Sequence, residues 1–328
     1  MSKGRFLPAA LLILAAGPVR ADAGGVLFYL ELQAVAAYIR PPAEVVLYSH
    51  DRHEAMQRPS LGFDAVARIP GRAADLGVAA LQVRLAYEAD RPSKLELQVY
   101  NAFVKLKLGF GDIWAGHNKP ALGLSSALDS HAELLQPMTM QGVGFDRDWG
   151  LGLSRDFAWG SGQVSLTAGS GMSLRLDGNY LASGRIARGV LDRDNYAIGL
   201  SAAAGRTLDV MGLRVLSPGP KAFRCVSLDG SALWRRLESR VEIAFGTNRD
   251  ETLFAFFWRG SLRLLEADRL RLEAQPVYVR SDRGRGWEIA GGLSYRVNAD
   301  LTLRSMAVWD PARKDRRVVV QAYYYKAL

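Results

Sequence analysis

From residue 233 to residue 325 the chain repeats one pattern, with apolar side chains at every second position and polar or charged ones between them. Leu237, Ser239, Val241, Ile243 and Phe245 alternate with Arg236, Glu238, Arg240, Glu242 and Ala244. Phe254, Phe256, Trp258, Leu262 and Leu264 alternate with Ala255, Phe257, Arg259, Ser261 and Arg263. Segments at 270–279, 287–296, 301–309 and 317–324 continue it, with Arg271, Glu273, Glu288, Arg296, Arg304 and Arg317 on the polar parity. Side chains on a strand point to opposite faces with period two, so each segment has one greasy face and one wet face. Soluble sandwiches alternate in the same way. These segments, however, run for about ten residues or more, where soluble strands average about five or six. Aromatic residues also gather near their ends, as at Trp234, Tyr278, Trp287, Tyr295 and Trp309. Strands of about 9–11 residues flanked by aromatic girdles suit a tilted membrane-spanning strand. The expectation is an all-β fold, a transmembrane antiparallel β-barrel, with a secreted soluble β-protein as the alternative.

The start of the chain agrees. Lys3 and Arg5 precede a short apolar run at 6–16, and Ala21-Asp22-Ala23 is a small-x-small site before Gly24. That pattern reads as a secretory signal peptide over 1–23, which directs the remainder, 24–328, to export and to a bacterial outer membrane. The apolar run is too short for a transmembrane helix, and no later run of about twenty apolar residues exists. A single Cys excludes an internal disulfide. Without residues 1–23, 39 basic side chains stand against 32 acidic ones, a formal charge of +7. The charges alternate along strands and form no run, which argues against a nucleic-acid partner.

Taken in order, strands are expected at 28–39, 61–69, 78–88, 94–108, 112–118, 149–157, 163–169, 180–188 and 196–204. A weak strand at 222–228 and the six above follow, about sixteen in all, with fourteen or eighteen as alternatives. Within 94–108 the apolar parity switches from Leu95, Leu97 and Val99 to Val104, Leu106 and Leu108. A one-residue shift is the mark of a β-bulge, expected near Tyr100-Asn101-Ala102. Residues 119–148 form a long non-alternating piece, with a short helix expected over 127–135. Counting strands from an inside start makes it the third loop on the outer side. His50 and His53 resemble a metal pair but lack a third ligand. Ser125, Ser126, Ser130 and His131 lie close together, yet Ser residues in a Gly/Pro-rich loop are turn formers. Neither an enzyme nor a cofactor is expected.

The run Leu97-Gln98-Val99-Tyr100-Asn101-Ala102-Phe103-Val104-Lys105-Leu106, followed by Gly116, Lys119, Pro120 and Gly123, resembles the phosphate-selective porin O/P family. The strand Asp148-Trp149-Gly150-Leu151-Gly152-Leu153 is similar to the one that family places after its third loop. The resemblance covers roughly residues 94–157. It implies sixteen strands, a homotrimer and a third loop folded into the pore, with Arg and Lys ladders in the phosphate-selective members. Here the loop carries only Lys119 and Arg147 against Asp129, Glu133, Asp146 and Asp148, so phosphate selectivity does not carry over.

Two roles follow for the polar faces. Arg236, Arg240, Arg259, Arg263, Arg271, Arg296 and Arg304 could form a pore-lining ladder that favours anions. Alternatively, with Glu238, Glu242 and Glu273, they could pair across neighbouring strands and knit the wall. Lys119, Asp129, Glu133 and Arg147 are the candidate constriction-loop residues. The expected function is a passive diffusion channel for small hydrophilic solutes with a weak anion preference, with outer-membrane lipid around it. The alternative is a scaffold barrel whose lumen is filled by its own loop or by a partner, with Tyr100, Asn101 and Phe257 packing the plug.

Overall fold

The computed structural model describes residues 25–328 apart from 42, 48–57, 73, 89–92, 130, 218, 282–283 and 313. The signal segment read at 1–23, and His50, His53 and Ser130, lie outside the described residues. Sixteen strands run β1 Val26–Arg40, β2 Ser60–Pro70, β3 Asp75–Tyr87, β4 Leu95–Leu108, β5 Gly111–Asn118, β6 Asp148–Phe157, β7 Gly160–Thr167 and β8 Tyr180–Arg188 in the first half. The second half holds β9 Tyr196–Thr207, β10 Lys221–Trp234, β11 Leu237–Asn248, β12 Glu251–Leu264, β13 Leu270–Ser281, β14 Gly284–Arg296, β15 Leu301–Asp310 and β16 Asp315–Ala327. Each pairs antiparallel with its sequence neighbours, and β16 returns to β1 from Tyr29↔Ala327 to Arg40↔Arg316. The sheet is therefore a closed barrel, with the short strand Glu44–Val46 added beside β1. Closure matters because an open edge would leave N–H and C=O groups without partners in hydrocarbon.

The alternation decides which face turns inward. Leu32, Val104, Leu151, Ile198, Leu228, Phe245 and Val320 lie on the outer surface. Glu31, Gln33, Gln82, Arg84, Glu238, Glu242 and Arg259 are buried inside. Phe110, Trp159 and Trp234 are exposed at the end with short turns, and Tyr38, Trp287 and Trp309 at the end with long loops, giving two outer aromatic belts. The parity break in β4 is a bulge: Gln82 pairs with Asn101 and Val83 with Val99, so Tyr100 is skipped. Tyr100 and Asn101 both reach lumen partners as a result.

Two expectations change. The weak strand at 222–228 is fourteen residues long, because its lumen face near the long-loop end is apolar (Phe223, Cys225) and blurs the alternation. Among the described residues of 127–135 the expected helix is absent. Short 3₁₀ turns stand instead at Leu124–Ser126 and Met138–Gln141. Carbonyls of this stretch are taken by side chains from elsewhere, as when Lys119 Nζ donates to Leu128 O at 2.7 Å and Arg259 Nη2 to Leu135 O at 2.7 Å. Those bonds replace the i→i−4 ladder a helix would need.

Candidate functional site: the loop across the lumen

The connection between β5 and β6, residues 119–147, folds into the barrel and is fastened to three sectors of its wall. Leu122, Leu124, Met138 and Val143 pack with Leu181, Ala203, Phe223, Cys225, Ala244, Leu253, Ala255, Phe257 and Val277, on β8 to β13. Leu134 and Leu135 pack with Val35, Ala37, Ala290, Met306, Val308 and Val319, on β1 and β14 to β16. Between these clusters His131 Nε2 lies 2.9 Å from Gln82 Nε2 and 3.1 Å from Glu31 Oε2, and its ring contacts Tyr100 and Tyr323.

Polar anchors fix the loop's height. Glu242 accepts the Leu124 N–H at 3.2 Å and the Ser227 hydroxyl at 2.7 Å. Gly123, at φ 57°, passes so close to that carboxylate that a Cβ would overlap it, which makes glycine necessary there. Glu133 sits between two guanidiniums, 2.7 Å from Arg259 Nη1 and 2.8 Å from Arg271 Nη2. Burial opposes its ionisation, but Arg259 and Arg271 outweigh this and hold Glu133 below the usual carboxylate range. Arg147 lies 3.6 Å over the Tyr100 ring and donates to Asn101 Oδ1 (2.8 Å), to Asp129 (3.1 Å) and to Asp146. Asp129, 67% exposed, lies against Lys119 and Arg147, which bring its pKa down to about 2. Lys119 is itself shifted down by burial and by Arg147.

The candidate pore-lining residues divide. Glu238 takes both Arg240 and Arg263. Glu273 lies 3.2 Å from Arg271 Nε and accepts the Ser261 hydroxyl. Arg304 donates to Gln321 (3.0 Å) above the Tyr323 ring, and its Nε is buried without a partner. Arg240, Arg263 and Arg271 remain 20%, 36% and 31% exposed, so they border open lumen. Arg236 and Arg296 are instead exposed at the short-turn end, Arg296 donating to Ala267 O of the neighbouring turn. Parity assigns a face but says nothing of height along the barrel. The Ser hydroxyls are turn formers: Ser125 donates to Leu122 O and Ser126 to Gly123 O.

Several lumen residues carry no signal beyond their inward parity. Arg185 and Asp229 form a buried two-bond pair at 2.9 and 2.6 Å, and Arg84 lies 3.7 Å from Glu31. His131, read as part of a Ser/His cluster, works here as an anchor to β1 and β3.

No family model and no curated protein sequence matches this chain. Solved structures do. A loop-deletion mutant of OmpT, an outer membrane protein of Vibrio cholerae, superposes with a TM-score of 0.66 at 14% identity, over 93% of this chain and all of that one. An anion-selective porin from Comamonas acidovorans gives 0.63 at 11% identity, with 93% and 100% covered. OmpF of Salmonella typhi, in complex with daunomycin, gives 0.64 at 12% identity, with 94% and 99% covered. This is the porin fold. At these identities the likeness is one of architecture, and within that porin fold the loop anchors described above are read from this chain alone.

Proposed function

We propose that this porin-fold barrel is a diffusion channel for small hydrophilic solutes in a bacterial outer membrane, with a weak preference for anions. The observation that carries the reading is the 119–147 loop strapped across a lumen whose wall below it is charged and partly exposed. In that sector five guanidiniums, of Arg240, Arg259, Arg263, Arg271 and Arg304, stand against four carboxylates, of Glu133, Glu238, Glu273 and Asp268. The two expected roles of the arginines therefore coincide: they knit the wall and leave positive charge over. A fixed potential acts strongly on ions in a narrow, partly dehydrated passage. That one structure of this fold is an anion-selective porin agrees in sign. The excess is small and the loop cluster of Lys119, Arg147, Asp129 and Asp146 is balanced, which favours general anion preference over the phosphate selectivity of the O/P family. A homotrimer fits this reading, and a trimer form is described for OmpT of Vibrio cholerae.

A second reading, a barrel filled by its own loop, is favoured by the docking of that loop on separate wall sectors. Phe257, Tyr100 and Asn101 pack it as a plug would be packed. Reversal potential in a KCl gradient, measured with refolded residues 24–328 in a planar bilayer, separates the two. The channel reading expects stepwise conductance and a reversal potential on the chloride side. A cation-side potential removes the anion preference, and silence from a folded barrel favours the filled lumen.

A further inference from the structure

Four of the five guanidiniums in the charged sector meet carboxylates. Arg240 and Arg263 share Glu238, Arg259 and Arg271 share Glu133, and Arg271 also reaches Glu273. Arg304, on β15, has no carboxylate at ion-pair distance among the described residues. The carboxylates whose field reaches it, Glu133 and Glu273, are spent on those other arginines. Arg304 Nη1 donates to Gln321 Oε1, and the guanidinium lies 5.1 Å from the centre of the Tyr323 ring. Its Nε is closed off, but Nη2 has no partner and keeps surface in the lumen. Two hydroxyls flank it. Thr302, two residues along β15, stands opposite Tyr323 of β16, and neither hydroxyl is bonded among the described residues or sealed from the lumen. The next inward residue toward the long loops, Met306, packs with Leu134 and Leu135 of the strap, so Arg304 is the first charge on β15 below the loop. A charge drawn partly out of water without a counter-charge is costly, and a bound anion recovers part of that cost.

We infer that Arg304, Thr302 and Tyr323 form a site for a small monocarboxylate, whose oxygens accept from Arg304 Nη2 and from the two hydroxyls. One unmatched positive charge suits a monoanion, whereas a phosphate dianion would add a second negative charge in the field of Glu133 and Glu273. Directed donors suit a carboxylate better than chloride. The inference rests on the channel reading and names the solute class that its anion preference serves. The test is saturation-transfer NMR on the folded full-length barrel in detergent, with acetate as probe and the methylphosphonate dianion as comparison. Acetate is expected to show saturable transfer and methylphosphonate much less. Arg304→Gln should weaken acetate binding at least about tenfold, and Arg304→Lys should restore part of it. Thr302→Val, which keeps the charge and the shape, should weaken it about fivefold and reads the site even if Arg304→Gln does not fold. No saturable transfer to the folded wild type, equal transfer from methylphosphonate, or unchanged binding in either folded variant, Arg304→Gln or Thr302→Val, would each overturn the site. Planar-bilayer recording keeps site and channel apart. A barrel that conducts without binding acetate loses the site and keeps the channel, and a silent barrel that binds acetate through Arg304 keeps the site and loses the channel.

Discussion

On β12, one inward face carries two chemistries. Toward the long-loop end it presents Leu253, Ala255 and Phe257, all at most 4% exposed. Toward the short-turn end it presents Arg259, Ser261 and Arg263, the last 36% exposed. The neighbouring β13 changes in the same sense, from Val277 to Gln275, Glu273 and Arg271. The switch falls where the strapped loop ends, at the Glu133 bridge between Arg259 and Arg271. A lumen strand that turns apolar on its wet face marks where something packs against it. The charged remainder marks where water and solutes pass.

Breaking the apolar half has the largest expected effect. Phe257→Ala should leave a void beneath the loop and cost about 4 kcal/mol, read as a lower urea midpoint of the barrel in detergent. It should also raise conductance as the loop loosens, and an unchanged conductance would separate packing from pore size. Arg259→Ala, at the boundary, leaves Glu133 mostly buried with Arg271 as its remaining close ion pair. It should cost about 3 kcal/mol on the same scale.

Acid probes the boundary without mutation. Glu133 is held below the usual range by its two arginines, and Asp129 lies at about 2. A carboxylate depressed in the folded state contributes its stabilisation above its unfolded pKa and loses it as pH falls through the folded value. The Glu133 and Asp129 contacts should therefore hold unchanged from pH 7 to about 5 and weaken only below roughly pH 4. Single-channel conductance across that range checks it, and opening at pH 6 would point to a different anchor. The charged half should respond least in stability and most in selectivity. Glu238→Gln frees Arg240 and Arg263 from their shared partner, moves the reversal potential further toward chloride and costs under about 1 kcal/mol, since both arginines are partly exposed.

The strands and the Tyr100 bulge were legible because a period of two is local and a parity break shows within one segment. The path of the loop was not. Its anchors lie far along the chain, at a sequence separation of 118 from Leu124 to Glu242 and of 126 from Glu133 to Arg259, and no local pattern encodes such pairings. The helix expected over 127–135 failed for the same reason, since Arg259 comes from across the lumen to take the Leu135 carbonyl. Lumen-facing Phe223 and Cys225 weakened the β10 signal because they serve the loop.

The pairing of β1 with β16 has a kinetic consequence. Tyr29 meets Ala327 only when nearly the whole chain has been gathered, a contact whose loop-closure entropy is about 5 kcal/mol on the logarithmic estimate. Local hairpins can form early and cheaply, but the final seam is the most non-local contact in the molecule. Until it zips, two strand edges face a solvent that cannot hydrate them. Assembly should therefore behave as one cooperative event, with β16 as the latch rather than an accessory.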